Sequence, residues 1–163
     1  MWLIIGYGNP LRQDDGAGYR VAEILATKLV PRQSPQDIRV LAVHQLTPEL
    51  ALELAAEDVE RVLFIDARRG QKKPLIMRKL DPAAALGSCG HQLAPELLLH
   101  MTRALYHRSP HGWLLTLAAQ QLDFGDMFSR AAQSATTTAL IMIEKLLGKA
   151  TTSGYKIRKT SMM

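Results

Sequence analysis

Short, continuously apolar runs alternate along this chain with segments whose apolar residues recur at helical spacing. The first run, Trp2–Tyr7, ends at a turn of Gly, Asn and Pro, and an amphipathic segment follows it. A strand that is buried on both faces has this continuous apolar character, and parallel strands are usually joined by helices. The alternation therefore predicts an α/β fold: a three-layer sandwich in which a mostly parallel, twisted sheet of about five strands has helices on both faces.

Turn and capping residues set the bounds of the individual elements. The predicted strands are Trp2–Tyr7, Ile38–Val43, 61–65 with Asp66 at its end, 75–80 and 113–117. The first predicted helix carries residues 21–29, between a cap at Asp14 or Asp15 and Pro31, and the second covers 47–57 with Thr47 as its cap. The third begins at Ala94-Pro95-Glu96 and carries Leu97, Leu98, Met101 and Leu105. The fourth is a long helix within 126–147 that ends near Gly148. The segment GSCGHQL at 87–93 is predicted to be a loop.

The charge of the chain is concentrated near its C-terminus. The formal net charge is +5 over 163 residues. Four basic residues between 149 and 159 contribute +4 without an acid, which leaves +1 for residues 1–148. A nearly neutral body lacks the electrostatic footprint of a nucleic-acid-binding domain. We therefore predict a single α/β domain at 1–148 and a basic, flexible tail at 149–163.

The sequence shows neither a membrane span nor a secretory signal. No apolar run approaches the roughly eighteen residues of a membrane span, and the N-terminal MWLIIGYGN lacks the basic flank of a signal peptide. The single cysteine, Cys89, excludes an internal disulfide framework and a multi-cysteine zinc module, which agrees with a reducing compartment. We expect a cytoplasmic monomer that has no membrane partner and no nucleic-acid partner.

Acidic residues follow two of the predicted strands at the point where each strand ends. The stretch GYGNPLRQDDGAGYR places Asp14 and Asp15 after the first strand, and Asp66 ends the third. In open α/β sheets the ligand crevice lies outside the carboxyl ends of the strands, where the strand order reverses. A 2-1-3 order therefore brings Asp15 and Asp66 face to face. His44 follows the second strand at the same edge, and His91 can close over that edge from its loop.

Two carboxylates and one imidazole form a donor set for a divalent ion of borderline character, such as zinc or nickel. Asp15, Asp66 and His91 are the predicted ligands. Three protein ligands leave positions open for water or a substrate group, and a metal held in this way can polarise an amide carbonyl and activate a water, as peptide hydrolysis requires. Adjacent acids also disfavour a nucleotide phosphate at the glycine turn, so the stretch predicts a cation site rather than an anion site.

Each of these residues also has a simpler interpretation. Asp14 and Asp15 can cap the helix that follows, a role worth about 1 kcal/mol, and one acid can cap while the other binds. Asp66 can be a turn residue at the end of a strand. His44 and His91 can be loop histidines that make ordinary hydrogen bonds.

A resemblance to a known family rests on the run GYGNPLRQDDGAG at 6–18, the buried strand that ends in Asp66, and the loop His91 before a helix. Over about residues 2–147 these features resemble the hydrogenase maturation endopeptidases. The resemblance implies an enzyme that removes a C-terminal peptide from the precursor of the nickel-iron hydrogenase large subunit after nickel has been inserted. It further implies catalytic, metal-contacting roles for Asp15, Asp66 and His91, a nickel ion that the substrate carries, and no organic cofactor.

Asn9 and His44 are candidates for positioning the substrate. Asn9 either shapes the turn or places its amide against the scissile peptide. The segment VHQLTPEL at 43–50 is similar to the subgroup that serves NAD-coupled bidirectional hydrogenases.

Two functions of other classes remain open at this stage. Glycines after the first strand also occur in Rossmann-type nucleotide-binding domains, although the third glycine is not at the required spacing and His44 stands where an acid would end the second strand. A non-catalytic nickel chaperone that docks on the same precursor would use the same metal-contacting residues.

Overall fold

The structure is a computed structural model, and it describes residues 1–29, 38–87 and 93–153. Within these ranges it contains a five-stranded sheet. The strands are β1 Trp2–Tyr7, β2 Ile38–Val43, β3 Arg61–Arg69, β4 Leu75–Lys79 and β5 His111–Ala119. Their order is β2-β1-β3-β5-β4, and neighbours are parallel except for β4, which is antiparallel to β5.

Among the described residues, four α-helices connect or follow the strands. They are α1 Ala17–Leu29, α2 Leu50–Leu54, α3 Pro95–Tyr106 and α4 Arg130–Ser153. Two short 3-10 helices lie at Gln13–Gly16 and Pro82–Gly87. In the described part of the chain, none of the helices is long and apolar enough to cross a membrane.

The sheet is covered on both faces because its central strands are apolar at successive positions. In β1, Leu3 and Ile5 belong to one buried core, and Trp2 and Ile4 belong to the other. Helices α1 and α4 pack on the Trp2 face, while α2 and α3 pack on the Leu3 face. Each fully buried aliphatic side chain of this size stabilises the fold by about 1.5–3 kcal/mol. The predicted three-layer sandwich with a mostly parallel sheet is confirmed.

The third strand is longer than predicted, and the prediction that it ends on Asp66 is wrong. On the side of β1, the last paired residue of β3 is Ile65, which lies opposite Gly6. On the side of β5, pairing continues to Arg69, which lies opposite Ala119. Asp66 therefore lies beside Tyr7, the last residue of β1, although it is within β3. The fifth strand is likewise longer than predicted at both ends.

The second helix is shorter than predicted, whereas α3 begins where it was predicted. The segment 47–57 is α-helical only over Leu50–Leu54, because its first turn closes with the tighter i to i+3 hydrogen bond from the Leu50 N–H to the Thr47 carbonyl, at 3.1 Å. In α3 the buried side includes Leu98, whereas Leu105 is 63% exposed. Leu105 therefore contributes little to the core.

The C-terminal helix α4 also extends past its predicted end. It continues to Ser153 instead of ending near Gly148, because one interior glycine weakens a helix by only about 1 kcal/mol. The predicted start of the basic tail therefore falls within α4. Predictions for Pro31, for the loop at 88–92 and for residues 154–163 lie outside the described residues.

Candidate active site at the carboxyl edge of the sheet

The strand order reverses between β1 and β3, as the predicted 2-1-3 order requires. From β1 the chain passes through α1 to β2 on one side, and it then returns to β3 on the other. A cleft of about 270 Å³ opens at the carboxyl ends of these strands. Its lining includes Tyr7, Asp15, His44, Asp66 and Leu93. The structure thus brings Asp15 and Asp66 into one cleft, together with His44.

The pKa of Asp66 in this cleft is raised. Burial raises its pKa from the ordinary 3.8 to about 6, and the nearby charge of Asp15 acts in the same direction. Two hydrogen bonds oppose this rise: the Tyr7 hydroxyl donates to Oδ2 at 3.0 Å, and the Ala67 N–H donates to Oδ1 at 2.8 Å. The positive charge of Arg68 also lowers the pKa. Asp66 is therefore mainly ionised at neutral pH, but more basic than an ordinary aspartate.

Tyr7 was not predicted as a site residue, and its role follows from strand register. Leu3, Ile5 and Tyr7 alternate onto the α2 and α3 face of β1, and Gly6 pairs with Ile65. The next residues along both strands are therefore neighbours, and the Tyr7 hydroxyl reaches the Asp66 carboxylate. Burial and the adjacent Asp66 raise the pKa of Tyr7, so its hydroxyl stays protonated and remains a donor. The signal in the sequence is a polar aromatic residue at the last position of an apolar strand.

Asp15 is held by the turn that precedes it. The Asn9 N–H donates to Asp15 Oδ2 at 2.9 Å, and Asn9 Oδ1 accepts the Leu11 N–H at 2.9 Å. Asn9 therefore shapes the turn, which was one of its two predicted roles. Its second predicted role, contact with the scissile peptide, stays a prediction.

Gly8 in the turn and Gly18 at the start of α1 each lie close to another backbone segment of the chain. Gly8 has a φ of +136°, and a Cβ there would lie 1.9 Å from the Asp15 carbonyl oxygen. A Cβ on Gly18 would lie 2.3 Å from the Ile65 carbonyl oxygen. Only glycine permits these approaches, because real Cβ contacts are never so short. The turn is thus packed against Asp15 and β3, and it does not form an open cradle for a phosphate.

Asp14, the first acid of the pair, is fully buried and does not cap α1. Its carboxylate accepts hydrogen bonds from the N–H groups of Gln120, Gln121 and Ser129 and from the Ser129 hydroxyl, at 2.6–3.0 Å. Burial alone would raise the pKa of Asp14, but these hydrogen bonds outweigh it and lower the pKa below its ordinary value. The prediction of a cap on the following helix is wrong. Asp14 instead fastens the loop between β5 and α4.

His44 is exposed at the rim of the cleft. Its ring lies 5.3 Å from the ring of Tyr19 in an edge-to-face contact, which orients the imidazole. His44 therefore has access to a ligand bound in the cleft, and its predicted role in positioning the substrate stays a prediction.

The predicted metal site is described only in part. His91 lies outside the described residues, although Leu93, two residues later, lines the cleft. Within residues 1–29, 38–87 and 93–153, no three His, Cys, Asp or Glu side chains are grouped so that they could hold a metal ion. Asp15 and Asp66, two of the three predicted ligands, line the same cleft, and their role in metal binding stays a prediction.

Comparisons with known proteins agree with this architecture. No protein-family model matches the chain. One curated relative, the coenzyme F420 hydrogenase subunit delta of Methanothermobacter thermautotrophicus, is 27% identical over 79 residues, which span 48% of this chain and 50% of that protein. The match thus spans only about half the length of that relative.

Solved structures of hydrogenase maturation proteases share the fold over most of the chain. The NiFe hydrogenase maturation protease HycI from Thermococcus kodakarensis has a TM-score of 0.73 at 22% identity, covering 90% of this chain and 92% of that one. The hydrogenase 2 maturation peptidase from Thaumarchaeota archaeon SCGC_AB-539-E09 has a TM-score of 0.64 at 24% identity, covering 90% and 97%. The endopeptidase HybD from E. coli has a TM-score of 0.61 at 19% identity, covering 91% and 93%. The chain therefore has the α/β fold of these proteases.

Proposed function

We propose that this chain is an endopeptidase that removes the C-terminal peptide from the nickel-loaded precursor of a NiFe hydrogenase large subunit. The observation that carries the proposal is the placement of Asp15 and Asp66 in one cleft at the strand-order reversal, in a fold shared with maturation proteases. Its partner is the precursor protein, and the nickel belongs to that substrate.

The two carboxylates suit a cation carried by the substrate. Each oxygen of Asp66 accepts one hydrogen bond from the chain, from Tyr7 or from Ala67, which leaves a lone pair on each oxygen for a ligand. Asp15 Oδ2 is oriented by the Asn9 N–H. Asp15, Asp66 and, as the proposed third ligand, His91 contact the nickel of the precursor. A divalent ion bound there polarises an adjacent peptide carbonyl and lowers the pKa of water.

Asp66 is available to bind the cation at neutral pH in this scheme. Its pKa of about 6 leaves the carboxyl group mainly ionised there. The Tyr7 hydroxyl fixes Oδ2 and keeps its own proton. His44 and Asn9 are the proposed contacts for the substrate chain on either side of the scissile bond.

The finer identity of the substrate rests on sequence alone. The segment VHQLTPEL at 43–50 supports a precursor from an NAD-coupled bidirectional hydrogenase. The single cysteine supports a reducing compartment, so we expect the reaction to take place in the cytoplasm, with the enzyme as a monomer. The nucleotide-binding alternative has lost its basis, because Gly8 and Gly18 pack against the chain's own backbone.

The proposed function is tested by incubating the chain with nickel-loaded and with nickel-free precursor and following the mass of the large subunit. We expect loss of the C-terminal peptide from the nickel-loaded form only. Binding without cleavage would instead identify a nickel-dependent chaperone. Equal cleavage of both forms would contradict the proposed recognition of nickel.

The acidity of Asp66 predicts how processing depends on pH. Because the ionised form binds the cation, the rate is expected to fall as the pH drops through about 6. Tyr7→Phe removes a hydrogen bond that lowers this pKa, so the acid limb of the profile should move to higher pH. The expected loss is about twofold to fivefold at pH 6, with rates that converge on wild type above pH 8.

The matched control for that variant is Tyr106→Phe. Tyr106 is 42% exposed on the last turn of α3, away from the cleft. A purely structural role of Tyr7 would lower the rate equally at every pH. An unshifted acid limb in Tyr7→Phe would therefore show that its hydroxyl does not tune Asp66.

A further inference from the structure

Three large apolar side chains are exposed on the segments that follow β1 and β5 at the carboxyl edge of the sheet. Leu11 is 66% exposed, Phe124 is 88% exposed and Met127 is 73% exposed. We call these three residues the apolar patch. Exposed apolar side chains that lie together mark sites of protein contact more often than single ones do.

The patch is built from two loops that pair with each other. Arg12 forms a parallel bridge with Gly125, the Gly125 N–H donates to the Leu11 carbonyl at 3.0 Å, and the Gln13 N–H donates to the Gly125 carbonyl at 2.9 Å. Leu11 and Phe124 each precede a bridged residue, so the parallel register places them side by side. Met127 follows three residues after Phe124 on the same loop.

Both loops are anchored in the fold, so the exposure of the patch is fixed. The Arg12 guanidinium donates twice to the Leu122 carbonyl, at 3.0 and 3.2 Å. The buried Asp14 carboxylate holds the ends of the second loop through Gln120, Gln121 and Ser129. A rigid apolar surface loses little conformational entropy when it binds, and it is therefore well suited to docking.

The patch is also continuous with the candidate active site. The Leu11 N–H donates to Asn9 Oδ1 at 2.9 Å, and the Asn9 N–H donates to Asp15 Oδ2 at 2.9 Å. Two hydrogen bonds and three residues of chain thus separate Leu11 of the patch from the Asp15 carboxylate of the cleft. A protein whose C-terminal tail enters this cleft must lie with its folded body against the rim.

From this continuity we infer that the apolar patch is the docking surface for the folded body of the protein substrate. The inference rests on the proposed function, because it takes the occupant to be a protein with a cleavable tail. That protein presents a complementary apolar surface next to the point where its tail leaves the fold. The patch then supplies affinity, and Asp15 and Asp66 supply the chemistry.

The test uses the double variant Phe124→Ser/Met127→Ser, which leaves the Asn9 to Asp15 turn unchanged. Its Kd for the nickel-loaded precursor is measured beside that of wild type, and the KM and kcat of processing are measured in parallel. We expect Kd and KM to rise by about tenfold or more, as for loss of an aromatic hot spot, with kcat within about twofold of wild type. The matched control, Leu105→Ser, changes a side chain that is 63% exposed on α3, and its Kd should equal that of wild type.

The outcomes separate the inference from the proposed function. If wild type binds the precursor but does not cleave it, the proposed function fails, and the comparison of Kd values still decides the inference. Equal Kd values for wild type and double variant would overturn the inference, as would no binding by wild type. Light scattering measures the oligomeric state of both proteins. A wild-type dimer that becomes a monomer in the double variant would show that the patch binds a second copy of this chain, and this would overturn the inference.

Discussion

Asp66→Asn is expected to abolish processing and at the same time to stabilise the folded protein at neutral pH. The amide cannot supply an anionic ligand for the cation. Without that ligand the scissile carbonyl of the substrate is not polarised, which costs several kcal/mol of transition-state stabilisation, or two or more orders of magnitude in rate. Stability changes in the opposite direction because the folded state raises the pKa of this carboxyl from 3.8 to about 6. Keeping Asp66 ionised therefore costs the fold about 3 kcal/mol at pH 7.

The sign of this effect gives the pH window. Between pH 4 and pH 6 the folded state binds more protons at Asp66 than the unfolded state does, so wild-type stability falls as the pH rises through this range. The stability of wild type relative to Asp66→Asn should thus fall by about 3 kcal/mol between pH 4 and pH 7.5. Part of the gain in the variant is offset, because the amide can accept only one of the hydrogen bonds from Tyr7 and Ala67.

The measurement combines urea unfolding at several pH values with the mass-spectrometric processing assay. Asp58→Asn, an exposed carboxylate away from the cleft, is the control for the loss of one charge. Full processing by both Asp66→Asn and Asp15→Asn would refute the role of the carboxylates. A difference in stability that does not change with pH would show that Asp66 is not held in a desolvated position.

Asp14→Ala is expected to destabilise the fold by about 3–5 kcal/mol, because it leaves four donors without a partner, and the two from Ser129 are buried. For a chain of this length, a loss of that size lowers Tm by about 10 °C or more. The stabilisation by wild-type Asp14 is present above the unfolded-state pKa and is lost as the pH falls through the lowered folded-state pKa. The deficit of the variant should therefore shrink in acid.

Thermal unfolding at pH 7 and pH 3 tests this expectation. The control is Asp58→Ala, which removes an exposed carboxylate and should change Tm little. A Tm for Asp14→Ala close to that of wild type would mean that the loop between β5 and α4 does not depend on this carboxylate.

The bounds of some strands were predictable because the local sequence pattern and the pairing of the strands in the sheet agree there. β1 and β2 match their predicted bounds, since both are apolar runs that end at turn residues. The end of β3 was not predictable from composition, because the residues after Ile65 are Asp, Ala, Arg and Arg and only pairing with β5 keeps them in the strand.

The candidate site divides in the same way. The carboxyl-edge rule correctly placed Asp15 and Asp66 in one cleft, because it depends only on strand order. The roles of Tyr7 and Asp14 depend on strand register and on a loop more than a hundred residues away, and neither is visible in a local motif. His91 lies outside the described residues, so its assignment rests on the resemblance and on the position of Leu93.

The two adjacent acids lie in a 3-10 helix, whose three residues per turn direct consecutive side chains about 120° apart. One carboxylate can thus point inward while its neighbour points outward, and a single dipeptide serves two unrelated tasks. Transplanting the cleft into another sheet would require moving this turn together with residues 120–129, which supply the hydrogen-bond donors to Asp14. Grafting the turn alone would leave the buried Asp14 carboxylate without its donors.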